Sequence, residues 1–285
     1  MTDQIIVALR ALSFVAALQA AGLPLFLWLF ADDLRRATQP VAALAKRTAV
    51  LGLVFTVAYQ LAEPARLAGD LRGILDGSLQ AALLGSEAGV ASSVRVLGLA
   101  LVALGWLKPS RLGAAVAVAG GTLIAASFAF MGHTAAHDQR WYLASLLIVH
   151  LLIVAFWFGA LWPLHLASRY EELAVNGVII ERFSKIATWL VPVIFLAGLA
   201  LSVALLPDLA SLRKPYGLLL LAKVAGFAAL MALAALNKWR LGPAIAKGSA
   251  GALVSFRRSV FVEWLLIAAV LAVTAVMTAL FSPRH

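Results

Sequence analysis

Residues 142–164 read YLASLLIVHLLIVAFWFGALWPL, an apolar run whose one ionisable group besides Tyr142 is the imidazole of His150. About 20 apolar residues in a helix cross a bilayer core, so this stretch predicts a membrane-spanning helix by itself. A membrane barrel would use segments of about ten residues that alternate in character, and this run does not alternate. It also sets the chemical question. His150 stands eight residues into the span, about 12 Å deep at 1.5 Å per residue.

Seven further segments of similar character flank it, roughly 5–30, 41–61, 90–107, 112–131, 183–206, 216–236 and 259–281. The whole composition agrees. Of 285 residues 63% are hydrophobic and 13% charged, against about a quarter charged in a soluble domain, and the mean hydropathy is +0.97. A soluble enzyme or nucleic-acid binder is excluded, because so few polar side chains cannot cover a globule in water. The expected fold is all-α, a polytopic membrane protein built as a bundle of eight transmembrane helices. The first segment reads as a retained helix, since Met1-Thr2-Asp3-Gln4 carries no basic n-region. Residues 1–129 would form an N-terminal four-helix half and 130–285 the C-terminal half. The long connection 62–89 predicts a short amphipathic helix and loop at the interface.

The formal net charge of +10 lies in the gaps between apolar runs and orients the chain. Fourteen Lys and Arg flank the loops after segments one, three, five and seven, from Arg35 and Arg36 to Arg257 and Arg258. Seven mark the opposite side: Arg66, Arg72, Arg95, Arg140, Arg213, Lys214 and Arg284. Positively charged loops stay in the cytoplasm, which puts both termini outside.

Four of the five histidines fall between residues 133 and 165. His133 and His137 follow the fourth segment, at its outer mouth. They are four apart, so a helical continuation would let them chelate one ion. Imidazole binds copper, zinc, iron and nickel, and a thioether such as Met131 shifts preference toward Cu(I). Asp138 could ligate or orient an imidazole. His165 lies at the inner end of the fifth segment, and Met277 at a depth similar to Met131. The plainer readings make His137 a solvated loop residue and His165 and Met277 packing residues. Elsewhere in the spans, Lys223 could snorkel or pair with Glu63, Glu263 could be neutralised by Arg258, Asn237 or Arg240, and Gln19, Gln60 and Arg10 suit interhelical hydrogen bonds. No thiol exists, and no nucleophilic triad, phosphate loop or spaced carboxylate pair is legible. The reading is not an enzyme.

The stretch from Gly132-His133 through His150 to Trp157-Phe158-Gly159-Ala160-Leu161-Trp162-Pro163-Leu164 resembles the copper resistance protein D (CopD) family of bacterial inner-membrane proteins. So do Arg182-Phe183-Ser184-Lys185, Tyr216-Gly217 with Lys223, Asn237 to Gly242-Pro243, and Arg258-Ser259-Val260 with Glu263. The likeness is strong over residues 130–283 and rests mainly on helix count over 1–129. It implies copper ion transport with copper as the substrate ion, and the membrane potential favours import. It places His133 and His150 at the family's ligand positions, with Met131 and His137 as additions, while His165 and Met277 are exit or secondary sites by their position in the chain. It also implies a periplasmic CopC-like partner that delivers the metal. The alternative is a haem-binding membrane redox enzyme resembling protoporphyrinogen oxidase, with buried histidines as axial ligands.

Overall fold

A computed structural model describes residues 2–107, 110–131, 138–206, 208 and 210–281. The elements are α1 (Thr2–Phe30), α2 (Thr38–Ala68), α3 (Gly77–Leu84), α4 (Glu87–Gly105), α5 (Arg111–Ser127), α6 (Arg140–Tyr170), α7 (Leu173–Leu205), α8 (Pro215–Leu236), α9 (Gly242–Ala246) and α10 (Ala250–Leu280). Among the described residues there is no strand, and eight helical stretches are long and apolar enough to cross a membrane. The last but one, Pro215–Ala246, is α8 continued through a π turn at Asn237–Leu241 into α9. The chain is an all-α, multi-pass membrane protein.

Helices α6, α7 and α10 have 31, 33 and 31 residues. At 1.5 Å per residue they run about 46–50 Å, well beyond a hydrocarbon core of about 30 Å. The excess over the apolar windows lies mainly at one end of the bundle, where charge begins: Arg169 on α6, Arg182 and Lys185 on α7, Arg257 and Arg258 on α10. Hydropathy marks the oily window, while the backbone continues as helix through basic residues that favour it.

These overhanging ends are tied together. Glu171, in the turn between α6 and α7, accepts from the backbone N–H groups of Arg35, Arg36 and Ala37 at 2.8, 2.7 and 2.8 Å. One buried carboxylate thereby satisfies three backbone donors of the turn that leads into α2. Arg182 pairs with Asp33 and Arg36 with Glu172 at 2.7 Å. Arg257 donates to the Ser168 carbonyl at 2.8 Å.

Helix α1 sits at the centre, packed on α2, α4, α5, α6 and α10. Its crossing with α6 is glycine to glycine. A Cβ on Gly22 would run into the Ala155 carbonyl, and one on Gly159 into the Gly22 backbone. Small residues allow such approach, and dispersion between backbones replaces the hydrophobic drive that lipid removes. Apolar side chains on α7 and α8, including Trp189, Val203 and Leu218, point outward, as a lipid-facing surface requires.

Three expectations change. Helix α2 continues past residue 61 to Ala68 with Pro64 inside it, so the interfacial segment is shorter than 62–89. It consists of a 3₁₀ turn at Leu71–Leu75 followed by α3. Leu75, 89% exposed, fits an interface in which apolar tips reach lipid. Arg95 is not a loop residue. It lies within α4 with no exposed surface, which leaves six basic residues against fourteen and sharpens the charge asymmetry. Glu63 does not meet Lys223. It is held by Arg66, through Nε at 2.9 Å and Nη2 at 2.6 Å.

Candidate metal pathway

His150 lies on the face of α6 that meets α7. Its Nδ1 is 3.2 Å from the Ile194 carbonyl oxygen, and its Cε1 approaches Gly198 closely, so the missing side chain there makes room for the ring. A carbonyl only accepts, so Nδ1 carries the proton and donates. In the neutral ring Nε2 then keeps its lone pair, the tautomer that metal-binding histidines show when a backbone carbonyl orients them.

His165 repeats this arrangement at the other end of α6. Its Nδ1 donates to the Arg257 carbonyl at 3.2 Å, again leaving Nε2. The ring stacks on Trp162 with centroids 5.5 Å apart and lies 6.0 Å from Phe261. His150 and His165 face α7 and α10 respectively, so neither turns its hydrogen-bonded edge toward the other.

Between these histidines, Trp157 donates from Nε1 to Glu263 Oε2 at 3.4 Å. Asn237, at the start of the π turn, donates to Glu263 Oε1. Of the three groups the sequence offered for Glu263, Asn237 is the one that reaches it. Ile153, Phe156, Trp157, Phe183, Ala187 and Leu190 line an apolar crevice between α6 and α7 with no room for a water molecule.

Met131 ends the fifth element's 3₁₀ extension, Phe128–Phe130. Its Sδ accepts from Arg95 Nη2 at 3.6 Å. A fixed guanidinium on that sulfur opposes a metal cation at the same atom. Met277 is buried on α10. His133 and His137 lie outside the described residues. Among the described residues, no three His, Asp or Glu side chains converge as a metal site.

Sequence reasoning passed over Arg95 and Glu171. For Arg95 the signal was present: a charge well inside the apolar run 90–107. For Glu171 it was not, since an acid in a short polar turn looks like solvated surface until α2 is seen docked upon it. Gln19 does bond between helices, accepting from Trp264 Nε1 at 2.8 Å. Gln60 accepts from Ser92 at 2.7 Å.

Two family profiles match the chain. One, copper resistance protein D, covers residues 177–277. The other, the copper resistance protein D-like N-terminal domain, covers residues 1–142. The chain belongs to the copper resistance protein D family. No curated protein and no solved structure matches it. Within this copper resistance protein D family member, the N-terminal profile takes in α1 to α5, where the resemblance rested mainly on helix count. The C-terminal profile holds α8, most of α7 and α10, and the Asn237–Glu263 pair. Copper resistance and transport is thus the family's assignment. The haem-binding alternative gains no support from either match.

Proposed function

We propose that this protein carries copper ions inward across the bacterial inner membrane, with both termini on the periplasmic side and imidazoles as stepping points. The observation that supports the reading beyond family membership is the orientation of the two described membrane histidines. Each donates from Nδ1 to a carbonyl of a neighbouring helix, leaving Nε2 as the donor atom a copper ion needs.

In this reading copper arrives at the outer mouth, delivered by a periplasmic CopC-like protein, and is received by His133 with His137. His150 takes it about 15 Å below the start of α6, and His165 receives it near the cytoplasmic end. Met131 joins the outer site only once Arg95 releases its sulfur, and Met277 is a secondary contact. Sparse imidazole ligands suit passage, because a site with four good ligands would retain the ion. The membrane potential supplies about 2.3 kcal/mol per charge per 100 mV, which favours entry of a monovalent cation.

The test is copper accumulation in cells expressing wild type, His150→Ala or His133→Ala at matched membrane levels. Uptake that falls several-fold in both variants supports the pathway. Uptake equal to wild type in both removes it. A purified sample with a Soret band would instead favour the haem reading.

A further inference from the structure

The other end of the bundle from the basic overhangs holds two arginines, Arg10 and Arg95, that join no ion pair with an acid. Arg95 of α4 is fully buried, its Nε donating to Ser127 Oγ at 3.0 Å and its Nη2 to Met131 Sδ at 3.6 Å, both neutral partners. Its Cζ stands 4.0 Å over the Phe128 ring and 5.8 Å from that of Phe14. Arg10 of α1 approaches the same Phe14 ring at 5.5 Å and reaches Tyr59 with Nη1 at 3.5 Å. Its Nε is buried without an acceptor. Each arginine lies eight residues from the start of its helix, so both stand about 12 Å deep.

All thirteen Asp and Glu of the chain lie among the described residues. The ion pairs join Arg36 to Glu172, Arg66 to Glu63, Arg72 to Asp70, Arg182 to Asp33 and Lys185 to Glu181. None includes Arg10 or Arg95. Glu63, one helical turn beyond Tyr59, holds Arg66 through Oε1 alone, and its Oε2 is buried without a hydrogen-bond partner. The undescribed run Gly132-His133-Thr134-Ala135-Ala136-His137 contains no acid. Aromatic faces and a thioether stabilise a guanidinium, yet a fully buried Arg95 whose hydrogen-bond partners are all neutral remains costly.

We propose that Arg10 and Arg95 form an anion site within the N-terminal half that takes a phosphate group. The guanidinium fork matches oxyanion geometry, and the Tyr59 hydroxyl lies beside Arg10. The phosphate is that of an anionic lipid headgroup drawn inward or a free phosphate from the aqueous side. Either source would offset the charge that opposes a metal ion at Met131. The site is testable without copper, so its failure and that of the transport reading are separable.

The experiment uses the full chain in micelles and in nanodiscs, comparing wild type with Arg10→Gln, Arg95→Lys and the exposed control Arg213→Gln. Inorganic phosphate is titrated calorimetrically, and phosphatidylglycerol retention is read by native mass spectrometry against phosphatidylcholine. Binding of phosphate that weakens at least tenfold in Arg10→Gln, weakens in Arg95→Lys and persists in Arg213→Gln supports a free-anion site. Phosphatidylglycerol retained by wild type and lost in Arg10→Gln supports a headgroup site. Arg10 is only partly buried, so its variant tests the site even where changes at Arg95 disturb folding. Neither probe binding to wild type, or binding unchanged in Arg10→Gln, overturns the proposal.

Discussion

At His150, what the sequence showed was depth, and what the fold adds is direction. Eight apolar residues before an imidazole place it inside the membrane whatever its neighbours are. That it leans on the Ile194 carbonyl depends on α7, forty-four residues later, and on the space left by Gly198. No local pattern reports such a contact. Arg95 teaches the reverse lesson, since its burial was legible from its place in an apolar run but its company of Phe128, Ser127 and Met131 was not. Glu171 gives a sharp residue-level prediction. Hydrogen bonds to a charged acceptor contribute about 1.5–3 kcal/mol, so Glu171→Gln, which keeps shape but removes charge, should lower stability by about 2 kcal/mol. Thermal unfolding in detergent checks this, and an unchanged midpoint would mean that the cap at α2 is not stabilising.

Among the elements, the number and order of spans were legible, because a bilayer allows few alternatives to a helix of about 20 apolar residues. Their ends were not, because α6, α7 and α10 run on as helix after hydropathy falls. Nor was the partnership of α1 with α6, which depends on Gly22 and Gly159 meeting across 137 positions. Both are followed by a proline, Pro24 and Pro163, yet nothing in either segment names the other. Gly159→Leu should therefore separate α1 from α6. Overpacking of this kind costs about 1–3 kcal/mol or more, and loss of the monodisperse peak in size-exclusion chromatography is the expected result, with Gly251→Leu, open to space, as the silent comparison. The short α3 is capped by Asp76, which accepts from the Ser78 and Leu79 N–H groups at 2.9 and 3.1 Å. These bonds and the Ser78 hydroxyl hold its carboxyl below the ordinary carboxylate range. A depressed value means the cap stabilises α3 above the unfolded pKa of about 3.9 and is lost as pH falls through the lower folded value. Protection of α3 amides relative to their intrinsic exchange at each pH should be higher at neutral pH and fall below about pH 4, whereas Asp76→Ala should be weakly protected at both.

For the whole molecule, topology and transport stand together, since an inward path needs the histidine-rich mouth on the periplasmic face. The absence of cysteine makes orientation directly measurable. A single cysteine replacing Asp3 or Ser282 should react with an impermeant maleimide in intact spheroplasts. One replacing Ser110 or Ser249 should react only after lysis, and the opposite pattern would invert the map. Passage of copper along the imidazoles of α6 is tested most sharply by copper entry into proteoliposomes holding oriented wild-type protein or His150→Ala, with the potential negative inside. Uptake should rise with the potential in the first and should fall at least tenfold in the second. Equal uptake by both, with equal protein inserted, would contradict it.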